Sequence, residues 1–285
     1  MNFRQTGRRK SIHSEYHLER VLKFACLFFV LIGIMGVVEV RSEKRGVYEN
    51  QKKVMVTAHR GASYGAPENT RASIALAIEE QADYAEIDVR LTKDGIPVLM
   101  HDQALFRTTG VVNDIDNVTY AELLTYDVGY RYAAEFSGET VPSLQEILER
   151  DGRKIKFNIE LKDGNSRELA ETVVNLIANY GLEEQCVITS DSYEQLEWVK
   201  KINDRIRTGY ILSLVYGEIF GYEAADFFSI KSECITEQLV KSAHAKGKEI
   251  HAWTVNKAYE VERMQELGVD NLITDKPAYV RECLR

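Results

Sequence analysis

The feature that most constrains this chain is a rhythm. From residue 142 to residue 274, apolar runs of four to six residues alternate with amphipathic stretches, several of which end at glycine. The runs at 155–160, 187–190, 208–212, 227–230, 249–254 and 271–274 read as strands. Between them, 143–150, 166–180, 193–201, 236–246 and 257–267 read as helices, with Gly181, Gly247 and Gly268 as stops. Upstream, 54–58, 84–90 and 96–100 add strands, and a helix opens after Pro67 with Asn69 as its expected N-cap. Strand and helix repeated to about eight strands fit a closed parallel (β/α)8 TIM barrel, a fold of about 250 residues. A doubly wound sheet would call for a Gly-rich phosphate loop, and none is present.

Within 84–90 the side chains alternate, so Glu86 and Asp88 share one face and Ile87 and Val89 the other. Two carboxylates on one face repel unless a cation lies between them, and a divalent metal is the simplest such cation. Glu160, at the end of another strand, would make a third ligand, and Lys162 shares its parity. Oxygen-only ligands favour Ca²⁺ or Mg²⁺. His59 and His101 also stand at strand ends, where barrel active sites are built, and imidazole can move a proton near neutral pH. Arg60 and Lys162 suit a phosphate; Trp253 suits either the wall of a substrate pocket or plain packing. Glu68 and Asn69 read as a turn and a cap. His251 shares parity with Trp253 and reads as a satisfied core histidine.

The blocks HRG at His59, PENT at Pro67, EID at Glu86, TKDG at Thr92 and HD at His101 come in an order and spacing that resembles the glycerophosphodiester phosphodiesterase family. IELK at Ile159, WTVN at Trp253 and LGVDNLITDKP at Leu267 agree, so the resemblance runs from about residue 54 to the end. It implies a (β/α)8 barrel that hydrolyses glycerophosphodiesters to glycerol 3-phosphate and an alcohol in phospholipid or lipid-derived polymer degradation. It also implies that His59 and His101 are the acid and base, and that an insertion at 102–140 caps the site. Ser190-Asp191 departs from the pattern, because an aromatic residue commonly follows the serine. Two alternatives stand beside this reading. One is a lysophospholipase D or cyclising phospholipase, if the aromatic insertion admits acyl chains. The other is a membrane-tethered barrel that binds head groups without turnover, a role that has no need of two histidines beside a metal.

Charge divides the chain. Residues 1–53 carry 11 Lys/Arg against 5 Asp/Glu, and the remainder carries 25 against 39. An acidic body behind a basic head argues against nucleic-acid binding and for a membrane-flanking head. Residues 24–38 contain no charge or strongly polar side chain, so 1–20 reads as a basic tail, 21–40 as a transmembrane anchor, 41–53 as a linker and 54–285 as the barrel. A cleaved signal peptide is the rival for the apolar run, although an Ala-x-Ala cleavage site is missing. The basic N-terminal flank favours a single pass in the cell membrane with the barrel outside the cytoplasm. Four cysteines without CxxC spacing suggest neither a disulfide framework nor a zinc site.

Overall fold

The computed structural model describes residues 53–162 and 166–285. The expected tail, anchor and most of the linker lie outside them, and no helix among the described residues is long and apolar enough to cross a membrane.

Eight parallel strands close into a barrel: β1 (Met55–Ala58), β2 (Tyr84–Leu91), β4 (Lys156–Leu161), β5 (Cys186–Ser190), β6 (Arg207–Leu212), β7 (Phe227–Lys231), β8 (Glu249–Trp253) and β9 (Asn271–Thr274). Each is bonded to the next in parallel, and β1 completes the ring by pairing with both β2 and β9. The expected strand at 96–100 is shorter, β3 (Pro97–Leu99), and it is not a stave. It runs antiparallel to β2, with Leu91 opposite Pro97, so Asp94-Gly95 turns a hairpin that leans outside the ring. The five residues 92–96 that join the two strands are too few for a parallel crossover, which explains the difference.

Helices α1 (Arg71–Glu79), α4 (Leu144–Asp151), α5 (Arg167–Tyr180), α6 (Tyr193–Ile202), α7 (Glu237–Ala245), α8 (Ala258–Leu267) and α9 (Pro277–Cys283) cover the outside, while α2 (Phe106–Thr109) and α3 (Tyr120–Leu123) belong to the insertion. Alternation sorts the side chains. Ala85, Ile87 and Val89 point at the helices and are fully buried, and Glu86 and Asp88 point into the ring. Local chemistry starts and stops the helices: Ser143 caps α4 through the Glu146 amide, and Gly181 closes α5 at a positive φ of 62°. The bottom of the ring is plugged by Tyr84, Val187 and Phe227, so the cavity opens only at the C-terminal end of the strands.

The insertion packs a small core of Leu105, Ile115, Val118, Leu123 and Val128 against Val98, Met100 and Val141 at its two ends. This core is mostly aliphatic. Tyr120 and Tyr126 pack against it half-buried, whereas Phe106, Tyr130 and Tyr132 remain exposed.

Candidate active site

The β1 strand ends at Ala58, and the chain then turns sharply through Arg60 and Gly61, both at positive φ. Gly61 allows no side chain, because a Cβ there would lie 2.4 Å from Ser73 Oγ. The turn is pinned to β2: Arg60 N–H donates to Glu86 Oε2 at 2.7 Å and Gly61 N–H to the Glu86 carbonyl at 3.0 Å. His59 and Arg60 are thereby set at the rim beside the Glu86 carboxylate.

A cavity of about 180 Å³ fills the barrel mouth. Its lining includes His59, Arg60, Glu86, His101, Glu160, Lys162 and Trp253, so seven of the eight residues expected from the sequence share one wall. The eighth, Asp88, is 1% exposed and lies against the same group. Register explains the meeting, since Asp88 of β2 pairs directly with Glu160 of β4.

Oxygens of Glu86, Asp88 and Glu160 lie within 4.8 Å of one another. Ligands around one Ca²⁺ or Mg²⁺ ion stand at most about 4–5 Å apart, so a single divalent ion could be held by all three. Burial, and then the neighbouring Asp88 charge, pushes the Glu86 carboxyl up to about 8. Glu160 is raised for the same two reasons against the pull of Lys162. For Asp88, burial acts upward but is outweighed by Lys162, Arg60, His101 and the Asn69 hydrogen bond, and its carboxyl is held low. Glu86 Oε1 is buried without a hydrogen-bond partner. An acidic trio in which one oxygen is orphaned and two acids resist ionisation fits a site completed by a cation.

The two histidines share a design. His59 Nδ1 lies 2.7 Å from Asp275 Oδ1, and His101 Nδ1 lies 2.6 Å from Asp102 Oδ1. A carboxylate at Nδ1 selects the tautomer with the proton on that nitrogen and leaves Nε2 for chemistry. Their pKa values move in opposite directions. Burial depresses His59, but the Asp275 hydrogen bond and the Glu86 charge prevail, and its pKa is raised. For His101 burial prevails over Asp88 and Asp102, and its pKa is lowered. Asp275 is itself steered by Asn256 Nδ2 at 2.6 Å.

Arg60 and Lys162 reach the cavity while leaning on acids. Arg60 Nη1 donates to Glu68 Oε1 at 3.0 Å, and its Nε lies 3.4 Å from Asp88 Oδ2. Lys162 Nζ donates to Glu160 Oε1 at 2.6 Å and lies 3.5 Å from Asp88 Oδ1. Trp253 is the last residue of β8, with its indole N–H buried and unpartnered. Asp191, where the sequence departs from the family pattern, adds a further carboxylate to the lining.

Three expectations need correction. Asn69 is not the helix cap: Thr70 is, through a capping box with Ser73. Asn69 sits one residue earlier at φ 56°, donates from Nδ2 to Asp88 Oδ2 at 2.8 Å and accepts the Asp88 N–H at 3.1 Å. Glu68 is not merely a turn residue, because it receives Arg60 and Arg107. His251 is buried in the ring, stacked on Phe227 at 4.1 Å, but is not satisfied. Neither ring nitrogen makes a hydrogen bond, and Glu249, at 3.5 Å, is too distant for one. Asp102, Asp275, Asn256 and Arg107 were not singled out from the sequence. The available signal was that Asp102 and Asp275 directly follow strand-end segments, inside the HD and TDKP blocks.

A parallel barrel that gathers acids, imidazoles and cations around one cavity at its strand ends defines a barrel hydrolase for anionic substrates. The model of the Glycerophosphoryl diester phosphodiesterase family matches residues 59–279, and the chain belongs to that family. A glycerophosphodiester phosphodiesterase of Caldanaerobacter subterraneus is 36% identical over 232 residues, covering 79% of this chain and 95% of that one. The human lysophospholipase D GDPD1 is 28% identical, covering 80% of this chain and 85% of that one. Among solved structures, a phosphodiesterase of Oleispira antarctica in complex with the product sn-glycerol-3-phosphate superposes with a TM-score of 0.78 at 30% identity, covering 83% of this chain and 98% of that one.

Proposed function

We propose that the enzyme uses His59 and His101 to move protons, Arg60 and Lys162 to hold the phosphate, Trp253 to wall the glycerol subsite, and Glu86, Asp88 and Glu160 to ligate one Ca²⁺ or Mg²⁺ ion. The reaction is hydrolysis of a glycerophosphodiester to glycerol 3-phosphate and an alcohol. The exclusively oxygen donor set supports these two ions over softer metals. A bound cation supplies charge neutralisation at the phosphoryl oxygens. His101, whose pKa burial lowers, takes the proton of the attacking oxygen, whether of water or of the substrate's own glycerol hydroxyl. His59, whose pKa the Asp275 hydrogen bond and the Glu86 charge raise against burial, gives its proton to the departing alkoxide. Arg60 and Lys162 hold the phosphate from the cavity lining, their aim set by the acids they pair with.

The observation that carries this reading is the meeting of both histidines with Glu86 and Glu160 on one cavity. Incubating the purified protein with glycerophosphocholine, with and without chelator, tests it. Failure to release glycerol 3-phosphate with added Ca²⁺ or Mg²⁺ would sink it.

A second reading, lysophospholipase D activity, draws support from a neighbouring cavity of about 170 Å³ beneath the insertion, whose lining includes Leu99, Met100, Val128, Tyr132 and Val141. The human relative carries that activity in its name. A kcat/KM for lysophosphatidylcholine above that for glycerophosphocholine would favour it. For location, we propose a single-pass anchor at 21–40 with the barrel outside the cytoplasm, supported by Arg4, Arg8, Arg9, Lys10, Arg20 and Lys23 ahead of the apolar run.

A further inference from the structure

The insertion sends one charged side chain back to the catalytic groups. Arg107 lies in α2, five residues beyond Asp102. Its Nε donates to Asp102 Oδ2 at 2.5 Å, its Nη1 to Glu68 Oε2 at 2.7 Å and its Nη2 to Glu68 Oε1 at 2.8 Å. All three nitrogens are therefore engaged by two carboxylates. Each carboxylate also holds a site residue: Asp102 Oδ1 meets His101 Nδ1 at 2.6 Å, and Glu68 Oε1 receives Arg60 Nη1 at 3.0 Å. Arg60 in turn lies against Asp88. The guanidinium is shared by the His101 and Arg60 supports.

We propose that Arg107 is a positioning residue for the hydrolysis, a clamp that aims His101 through Asp102 and Arg60 through Glu68. The inference rests on the roles given above to His101 and Arg60. Without the clamp, Glu68 and Asp102 face each other with no cation between them. Repulsion would rotate the carboxylates, and the imidazole and guanidinium they aim would follow. Burial raises the Asp102 carboxyl, yet the Arg107 and His101 hydrogen bonds hold it down to about 2, so it remains an anionic acceptor for His101. Lysine cannot substitute, because a point charge cannot offer three coplanar donors to two acids.

Geometry separates this role from a stabilising one. The Arg107 side chain is 47% exposed, and ion pairs that open to water contribute little to stability. Losing the clamp should therefore reduce turnover far more than folding. It would also tie catalytic competence to the docking of α2, giving the insertion a chemical task.

The test measures kcat and KM for glycerophosphocholine with the full chain carrying Arg107→Ala, Arg107→Lys, Asp102→Asn or Glu68→Gln. Arg107→Ala and Arg107→Lys should each lower kcat/KM on the order of 10- to 100-fold, the usual scale for removing a supporting partner of a site residue. Asp102→Asn should reproduce the loss in kcat, and Glu68→Gln should act mainly on KM through Arg60. Guanidinium ion added below denaturing concentration should restore part of the Arg107→Ala activity and none of the Arg107→Lys activity. An Arg107→Lys enzyme as active as wild type would overturn the clamp. So would an Arg107→Ala loss that tracks the folded fraction in thermal unfolding and resists guanidinium rescue. A wild type inactive on glycerophosphodiesters would overturn the underlying reading of the site as well, so the two failures are distinguishable.

Discussion

Asn69 makes the sharpest demand on the reading of the carboxylate trio. Its side chain is 4% exposed and makes two hydrogen bonds to Asp88, one to the carboxylate and one from the backbone N–H, while its own backbone is held at φ 56°. Asn69→Ala removes three contributions. Loss of a bond to a charged acceptor costs about 1.5–3 kcal/mol, and leaving the buried Asp88 N–H unpaired costs about 1–3 kcal/mol. Holding alanine in the left-handed region adds about 1 kcal/mol. Because the terms overlap, the expected destabilisation is about 4 kcal/mol, or roughly 10 °C in unfolding temperature for a domain of this size. Asn69→Gly loses the same bonds without the steric strain and should be less damaging than alanine by about 1 kcal/mol. Thermal unfolding in excess chelator, followed by circular dichroism, reads both numbers. A Ca²⁺ titration of each variant should show weakened affinity, because Asp88 loses the partner that orients it. If alanine falls within about 1 kcal/mol of wild type, or proves no worse than glycine, the two-point support of Asp88 is wrong.

Other outcomes follow from the same geometry. His59→Ala and His101→Ala should each lower turnover by at least about 100-fold while retaining the wild-type circular dichroism spectrum; a folded variant within a few-fold of wild type removes that histidine from the chemistry. Activity should vanish in chelator and return with Ca²⁺ or Mg²⁺, and full activity in excess chelator would exclude the cation. Glu86 has a folded pKa of about 8, above its ordinary 4.5, so its contribution to stability is full below about 4.5 and is lost as pH rises through about 8. Metal-free protein should therefore lose stability across that window, and cation binding near pH 7 should expel about one proton. Calorimetric titrations in two buffers of different ionisation enthalpy detect that proton; equal heats would refute it. Protease added to intact cells, or to protoplasts where a wall blocks access, should digest the barrel and spare a cytoplasmic control; a barrel protected until the membrane is breached would reverse the orientation.

The sequence by itself determined the barrel and most of its site. Strand parity aligned Glu86 with Asp88, the βα rhythm set the staves, and strand ends are where such a barrel collects polar groups, so His59 and Glu160 were legible from spacing. His101, by contrast, follows β3, which is no stave, and reaches the cavity from the hairpin. The hairpin at Pro97–Leu99 was legible as a strand but not in its direction, which depends on how short its connection is. Tertiary structure alone decided which residues support the site. Asn69 looked like a cap because asparagine favours helix starts, but Thr70 took that place and freed Asn69 for Asp88, 19 positions away. The Asp275 partner of His59 lies 216 residues along the chain, and joins it only because β9 pairs with β1 to close the ring. Glu68 and Arg107, 39 residues apart, meet only once the insertion folds back against the turn that leads into α1. Periodicity reports the face a side chain occupies on its own element; a hydrogen-bond partner on another element is set by closure and register, which no local pattern encodes.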